Sequence, residues 1–155
     1  MSSMPTAPQK EIDLSEQLKT KIIQFIHSNQ GWMSFDRFMD FALYDPELGY
    51  YTGALRKFGE KGDFVTASEI SNFFAKTLCI QFKEIFQSVS RSIIEIGAGS
   101  GQFALQVIQS LSSDHENINH YFILEISSSL RKQQYELLTK NLPSHLFSKI
   151  QWIDE

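Results

Sequence analysis

The residues best equipped for chemistry in this 155-residue chain gather around a glycine loop, "EIGAGSGQF", from Glu95 to Phe103. Gly97, Gly99 and Gly101 alternate with small residues directly after the apolar run "SIIEI". Such a turn from strand to helix lets a backbone approach a nucleotide-like ligand, with helix N–H groups pointing outward. A dinucleotide fingerprint asks for Gly-x-Gly-x-x-Gly. Here the spacing is Gly-x-Gly-x-Gly, and the sixth position is Gln102. A carboxylate, Glu95, stands two residues before the first glycine. A second, Glu125, ends the next apolar run, 28 residues after Gly97. The usual gap is about 20 residues, and the polar stretch 112–119 accounts for the excess. A carboxylate at that strand end accepts hydrogen bonds from ribose hydroxyls. Glu95 beside the loop suits a cofactor that carries positive charge. S-adenosylmethionine has an ammonium and a sulfonium and no phosphate, so it fits better than a pyrophosphate. An NAD-type ligand is the disfavoured alternative, and a tight turn with a surface glutamate is the purely structural one.

The elements that must hold these groups follow from hydrophobic periodicity. "SIIEI", "YFILEI" and "KIQWI" read as short buried strands. Between them, Ala104, Val107, Ile108 and Leu111 mark one helix. Ser127 caps another that carries Leu130, Leu137 and Leu138 and ends at Pro143. Strand, helix, strand, helix, strand predicts parallel βαβ units in an α/β fold. Ahead of them, residues 13–88 read as a helical lead-in or lid region, after a disordered polar tail over 1–12. Its first helix is expected at Asp13, where Asp13 and Glu16 have capping-box spacing. Leu14, Leu18, Ile22, Phe25 and Ile26 fall on one face of it. A second helix follows Ser34, with Phe35, Phe38, Met39, Ala42 and Leu43 inward, and stops at "YDPELGYY". A third, over roughly 68–88, aligns Ile70, Phe74, Leu78, Phe82 and Ile85. Residues 52–66 form a long glycine-punctuated loop of the kind that often carries function.

Composition narrows the partners. A net charge of -4 argues against a protein whose main affinity is for nucleic acid phosphates, which normally takes a basic face. One cysteine, Cys79, excludes an internal disulfide; it reads as a packed thiol in a reducing compartment. No apolar run reaches the length of a membrane span. The N-terminus has neither an apolar signal core nor an Arg-rich transit pattern, so a cytoplasmic location is expected. His27, His115, His120 and His145 show no metal-ligand spacing, and no metal is expected.

Two further stretches sharpen the reading. "FMDFALYDPELGYY" (Phe38–Tyr51) and "GDFVTASEIS" (Gly62–Ser71), with "YFILEIS" and "IQWIDE", resemble in order the signatures of the MidA-like (DUF185) family of S-adenosylmethionine-dependent methyltransferases. The resemblance runs from about residue 13 to the end of the chain. It implies a class I, Rossmann-like methyltransferase fold preceded by a helical region. It also implies that Glu95, Gly97, Gly99, Gly101 and Glu125 bind S-adenosylmethionine. Gly62, Asp63, Phe64 and Thr66 match a loop that closes over cofactor and substrate in that family. Ser68 departs from the proline common there. The mitochondrial member serves respiratory complex I assembly by methylating arginine on a core subunit. Protein arginine is therefore the implied substrate, and the mitochondrial matrix the implied compartment for a eukaryotic member, though no transit peptide is evident.

An arginine nucleophile needs its guanidinium held and deprotonated, which carboxylates do by charged hydrogen bonds. Asp63 and Glu69 are the candidates; Glu69 equally suits an ordinary acid in a helix first turn. Tyr44, Tyr50 and Tyr51 either wall a methyl-transfer pocket or pack a lid. Family members are much longer, so the resemblance implies only the first half of the sheet, three strands over 89–155. The strand "SIIEI" would then have an unpaired edge and the chain would self-associate. A binding or assembly module that keeps the fold without catalysis is the alternative to an enzyme.

Overall fold

The computed structural model describes residues 7–53, 65–113 and 118–154. The chain forms two compact units, Met1–Leu55 and Arg56–Glu155.

The first unit holds helices α1 (Gln9–Ser28) and α2 (Phe35–Tyr44). Helix α1 starts four residues earlier than the Asp13 capping box predicts. Pro8 opens it, its carbonyl accepting from the N–H groups of Glu11 (2.9 Å) and Ile12 (3.2 Å). Asp13 lies inside the helix and accepts from the Gln9 amide at 2.8 Å. Leu14, Leu18, Ile22, Phe25 and Ile26 are half-buried, as their spacing predicts. On α2 the inward positions are Met39, Phe41, Ala42 and Leu43. Phe41 meets the Phe25 ring at 5.3 Å. Phe35 and Phe38 depart from expectation: both are exposed. They lie on the expected stripe but in the first turn of α2, where burial has not begun, and they stack on each other.

The turn after α2 is organised by Asp45, which is 5% exposed. Its carboxylate accepts from the Leu48 N–H (3.1 Å), the Glu47 N–H (3.3 Å) and the Lys21 ammonium. Its carbonyl accepts from the Gly49 N–H at 2.9 Å. A Cβ on Gly49 would stand 2.5 Å from the Asp45 nitrogen, so only glycine closes this turn. The turn is thereby tied to α1.

The second unit contains α3 (Ala67–Ile70), α4 (Phe73–Ile85), β1 (Ser92–Ile96), α5 (Gln102–Ser113), β2 (His120–Leu124), α6 (Ser128–Asn141), α7 (Ser144–Phe147) and β3 (Ile150–Ile153). The single helix expected over 68–88 is two. Ser71 is extended, and its hydroxyl accepts from the Phe73 N–H at 3.3 Å, which starts α4 afresh. The break turns α4 so that Ala75 and Cys79 are buried, while Ile70, Phe74 and Ile85 are exposed. Helix α4 packs on α5, so it joins the sheet unit rather than the lead-in helices.

The sheet is parallel in the order β1-β2-β3. Ser92 pairs with His120 and Ile96 with Leu124; Tyr121 pairs with Ile150 and Leu124 with Ile153. Side chains alternate across a strand. Tyr121, Ile123 and Ile150 point into a core with Ala104, Val107, Ile108 and Leu111 of α5 and Leu138 of α6. Ile94 and Ile96 point the other way and are 63% and 77% exposed. Strand β1 is an edge of the sheet among the described residues. No described helix is long and apolar enough to cross a membrane.

Burial alone raises the Asp45 carboxyl, but the bonds from Lys21, Leu48 and Glu47 outweigh it and leave the group below its ordinary 3.8. A depressed carboxyl contributes stability above its unfolded value and loses it as pH falls through the native value. Asp45→Asn is expected to destabilise the first unit at pH 7. The deficit should vanish in urea melts taken progressively below about pH 3.8.

Candidate functional site

Three positive-φ glycines in five residues turn β1 into α5: Gly97 at 69°, Gly99 at 55° and Gly101 at 84°. L-residues with a Cβ rarely adopt this region. The Gly97 N–H donates to the Leu124 carbonyl at 2.9 Å, so the strand ladder runs one residue into the loop. The Gly101 N–H closes back on the Ala98 carbonyl at 2.8 Å. The consecutive peptides then lead into the N-terminus of a 12-residue helix. This is the geometry that the glycine spacing predicts.

Glu95 leaves β1 on the helix-covered face, and its Oε2 accepts from the Tyr121 hydroxyl at 2.8 Å. Burial holds its carboxyl above the ordinary 4.5; the Tyr121 bond opposes that, and the Glu125 charge adds to it. Burial, with the charge of Glu95 beside it, keeps the Tyr121 hydroxyl well above a phenol's usual value. The tyrosine therefore stays protonated and donates.

Glu125 stands just past β2 and is 6% exposed. Its Oε1 accepts from the Ser127 N–H (3.0 Å) and its Oε2 from the Gln134 amide (3.1 Å). Ser127 caps α6 as expected, accepting from the Leu130 N–H. Glu125 also borders an open cleft of about 420 Å³ at the carboxyl ends of β2 and β3, with Ile126, Arg131 and Asp154. Arg131 and Asp154 bridge that cleft at 2.7 Å.

A separate cavity of about 250 Å³ brings together Thr66, Glu69, Glu95, Gly97 and Gly99. These residues come from the end of the long loop, the short helix α3, β1 and the glycine turn. Glu69 accepts a hydrogen bond from the Ser100 hydroxyl. The Ser100 oxygen in turn accepts from the Gln102 N–H at 3.3 Å. The Gln106 amide holds the Ser68 carbonyl at 2.9 Å, so α3 is fastened both to the glycine turn and to α5. Gly62, Asp63 and Phe64 lie outside the described residues. Among the described residues, no group of three His, Cys, Asp or Glu side chains converges that could hold a metal ion.

One residue at the centre of this arrangement escapes the sequence reading. Gln134 is fully buried. Its amide nitrogen donates to the Gly99 carbonyl (2.9 Å) and to Glu125, and its Oε1 accepts from the Trp152 indole (2.9 Å). The available signal was position: on α6, Gln134 shares the buried stripe of Leu130 and Leu138 at helical spacing.

Several known proteins resemble this chain in sequence and fold. Residues 77–155 match the family described as S-adenosyl-L-methionine-dependent methyltransferases. The chain is 32% identical over 118 residues to the human mitochondrial protein arginine methyltransferase NDUFAF7, covering 71% of this chain and 26% of that protein. Its Drosophila melanogaster homologue is 30% identical over 128 residues, covering 78% of this chain and 28% of that protein. This chain thus spans about a quarter of these curated relatives. A COG1565 superfamily member from Burkholderia thailandensis, crystallised with S-adenosyl-homocysteine, superposes with a TM-score of 0.87 at 34% identity. That match covers 99% of this chain and 41% of the other. A native structure from the same organism and superfamily gives 0.80 at 32% identity, covering 99% of this chain and 38% of the other.

The raised carboxyl of Glu95 has a measurable sign. The native chain holds that proton more tightly than the unfolded chain. Its contribution is fully present below about pH 4.5 and is lost as pH rises through the higher native value. Glu95→Gln keeps an acceptor for Tyr121 and removes the charge. It is expected to flatten the decline in unfolding free energy above about pH 4.5, read by urea melts.

Proposed function

The chain belongs to the family of S-adenosyl-L-methionine-dependent methyltransferases, and from that membership we propose that its glycine loop and flanking carboxylates form the cofactor site and that the protein methylates arginine on another protein. The observation that carries the reading is the shared cavity. Thr66, Glu69, Glu95, Gly97 and Gly99 line one space, and Glu125 stands at the end of the neighbouring strand. The charge state fits the ligand. Burial already penalises ionised Glu95 and Glu125 adds to that penalty. A ligand with ammonium and sulfonium groups relieves the repulsion, whereas a pyrophosphate would worsen it.

Each residue then has a part. Glu95 and Glu69 face the positively charged end of the cofactor. Gly97 and Gly99 leave room for its close approach. Glu125 keeps lone pairs beyond its two donors and accepts from ribose hydroxyls. Thr66 lines the site from the end of the preceding loop. The bound cofactor supplies an electrophilic methyl group. The chain's contribution is alignment of the arginine nitrogen with that methyl and exclusion of water. Glu69 is engaged with Ser100 at the glycine turn, which favours a place at the cofactor. Asp63, the other candidate catalytic carboxylate, lies outside the described residues. Arginine as the substrate rests on the names of the relatives. The cytoplasm of a bacterium or the mitochondrial matrix suits the lone buried Cys79.

Calorimetric titration tests the cofactor. S-adenosylmethionine should bind and NAD should not. Glu125→Ala should weaken binding about tenfold or more, the loss of hydrogen bonds to a charged group. Binding of NAD in preference would overturn the assignment. Transfer of radiolabelled methyl to arginine in a cell extract, with Glu125→Ala as the blank, tests the reaction. Cofactor binding without any label would favour the non-catalytic module instead.

Strand β1 also exposes Ile94 and Ile96 beside an edge without a described neighbour, and we propose that the isolated chain self-associates there. Its sedimentation coefficient should rise with concentration. Ile94→Lys with Ile96→Lys should remove that rise. A parent chain that sediments as a monomer at all concentrations would refute the proposal.

A further inference from the structure

The geometry points to Gln134 as the residue that sets the spacing between the two halves of the cofactor site, and to Trp152 as its built-in reporter. This inference rests on the cofactor assignment proposed above. The Gly99 carbonyl belongs to the turn that meets the positively charged end of the ligand. The Glu125 carboxylate meets the ribose. Both acceptors are held by one amide nitrogen, at 2.9 and 3.1 Å. A primary amide nitrogen has two hydrogens, so both are used. The amide oxygen is used as well, by the Trp152 indole N–H at 2.9 Å. The orientation of the amide is fixed by its partners: two acceptors on one side and a donor-only indole on the other.

No other residue type completes this set. Glutamate would turn an acceptor toward the Gly99 carbonyl and the Glu125 carboxylate. Methionine would fill the volume with no donor at all. Asparagine is one methylene too short. A Cβ on Gly101 would already stand 3.3 Å from the Gln134 Cα and 3.2 Å from its Cγ, so helix and turn are in contact. Gln134 touches neither end of the cofactor in this reading and acts through Gly99 and Glu125; it is a positioning residue. The same amide carries any change at those acceptors to the Trp152 indole. That indole lies on the helix-covered side of β3, packed against Tyr135 and Phe147, away from the Ile153 side that lines the cleft.

The test uses S-adenosyl-homocysteine titrated into the 155-residue chain, followed by calorimetry and by the indole ¹⁵N–¹H resonances. Trp32→Phe assigns the Trp152 signal, since the chain has two tryptophans. Ligand should shift the Trp152 resonance in the parent. Gln134→Met should bind about tenfold or more weakly and lose the ligand-induced shift. Gln134→Glu should be weaker still. Leu138→Ala, on the same helix and fully buried, is the control for lost packing. It should lower the melting temperature yet keep both affinity and shift. If the parent binds but Gln134→Met binds as well as the parent, or affinity merely follows melting temperature across all three variants, the positioning role is wrong. If the parent binds with no movement of the Trp152 signal, the reporter role is wrong. A parent that does not bind at all refutes the cofactor assignment itself, and this inference with it.

Discussion

The contact on which the second unit depends is the one between helix α6 and the glycine turn. At Gly101 the turn presents no side chain, its φ is 84°, and Gln134 lies so near that a Cβ would stand 3.2 Å from its Cγ. That closeness fixes several things together. It places a buried amide between a loop carbonyl and a strand-end carboxylate, at distances that favour strong hydrogen bonds. It brings α6 near enough to share a core with α5, so Leu138 joins Val107, Ile108 and Leu111. It also ties β3 to the same point through Trp152. Three elements distant in sequence thereby share one fully satisfied polar centre. Such a centre specifies geometry, because every alternative packing leaves a buried group unpaired.

Around that centre the charge is arranged in one direction. Glu69, Glu95 and Glu125 all face the neighbourhood of the turn, while the described partners at their oxygens are neutral: Ser100, Tyr121, Ser127 and Gln134. Neutral donors hold carboxylates in place without cancelling their charge. The contrast with Asp45 in the first unit is informative. There a buried carboxylate meets a lysine and its carboxyl is lowered; at Glu95 no such partner is present among the described residues and the carboxyl is raised. The first arrangement stabilises a turn. The second leaves a buried carboxyl without a cationic partner among the described residues.

How much of this is legible in the sequence depends on the kind of signal. The strands are readable because buried parallel strands are short, apolar and bounded by turns, and all three appear where expected. Helix α5 is readable because Ala104, Val107, Ile108 and Leu111 recur at helical spacing, although Leu105 and Gln106 are buried there as well. The glycine turn and the two strand-end glutamates are readable because chemistry restricts residue type there. Helix α4 is misread because Phe and Ile at helical spacing outweigh the break at Ser71, which is a matter of one hydroxyl and one extended residue. The start of α1 is misread because a proline opening competes with a capping box, and periodicity cannot arbitrate between them. Gln134 is missed for a different reason. A polar residue on a buried stripe is visible as an anomaly, but its partners are 35, 9 and 18 residues away. No local pattern reports such distances.

The order of the sheet has a consequence for how its parts depend on one another. Each strand pairs with the next one in the chain, and the helix between them packs on the face they form. Contacts of this kind close short loops, which cost little entropy and form quickly. Strand β3 brings Trp152 to Gln134 and completes the polar centre. Without that pairing the Gln134 oxygen lacks its indole partner. The geometry of the glycine turn therefore depends on β3, reached across 35 residues from Gly99 to Gln134 and a further 18 to Trp152, through one indole hydrogen bond.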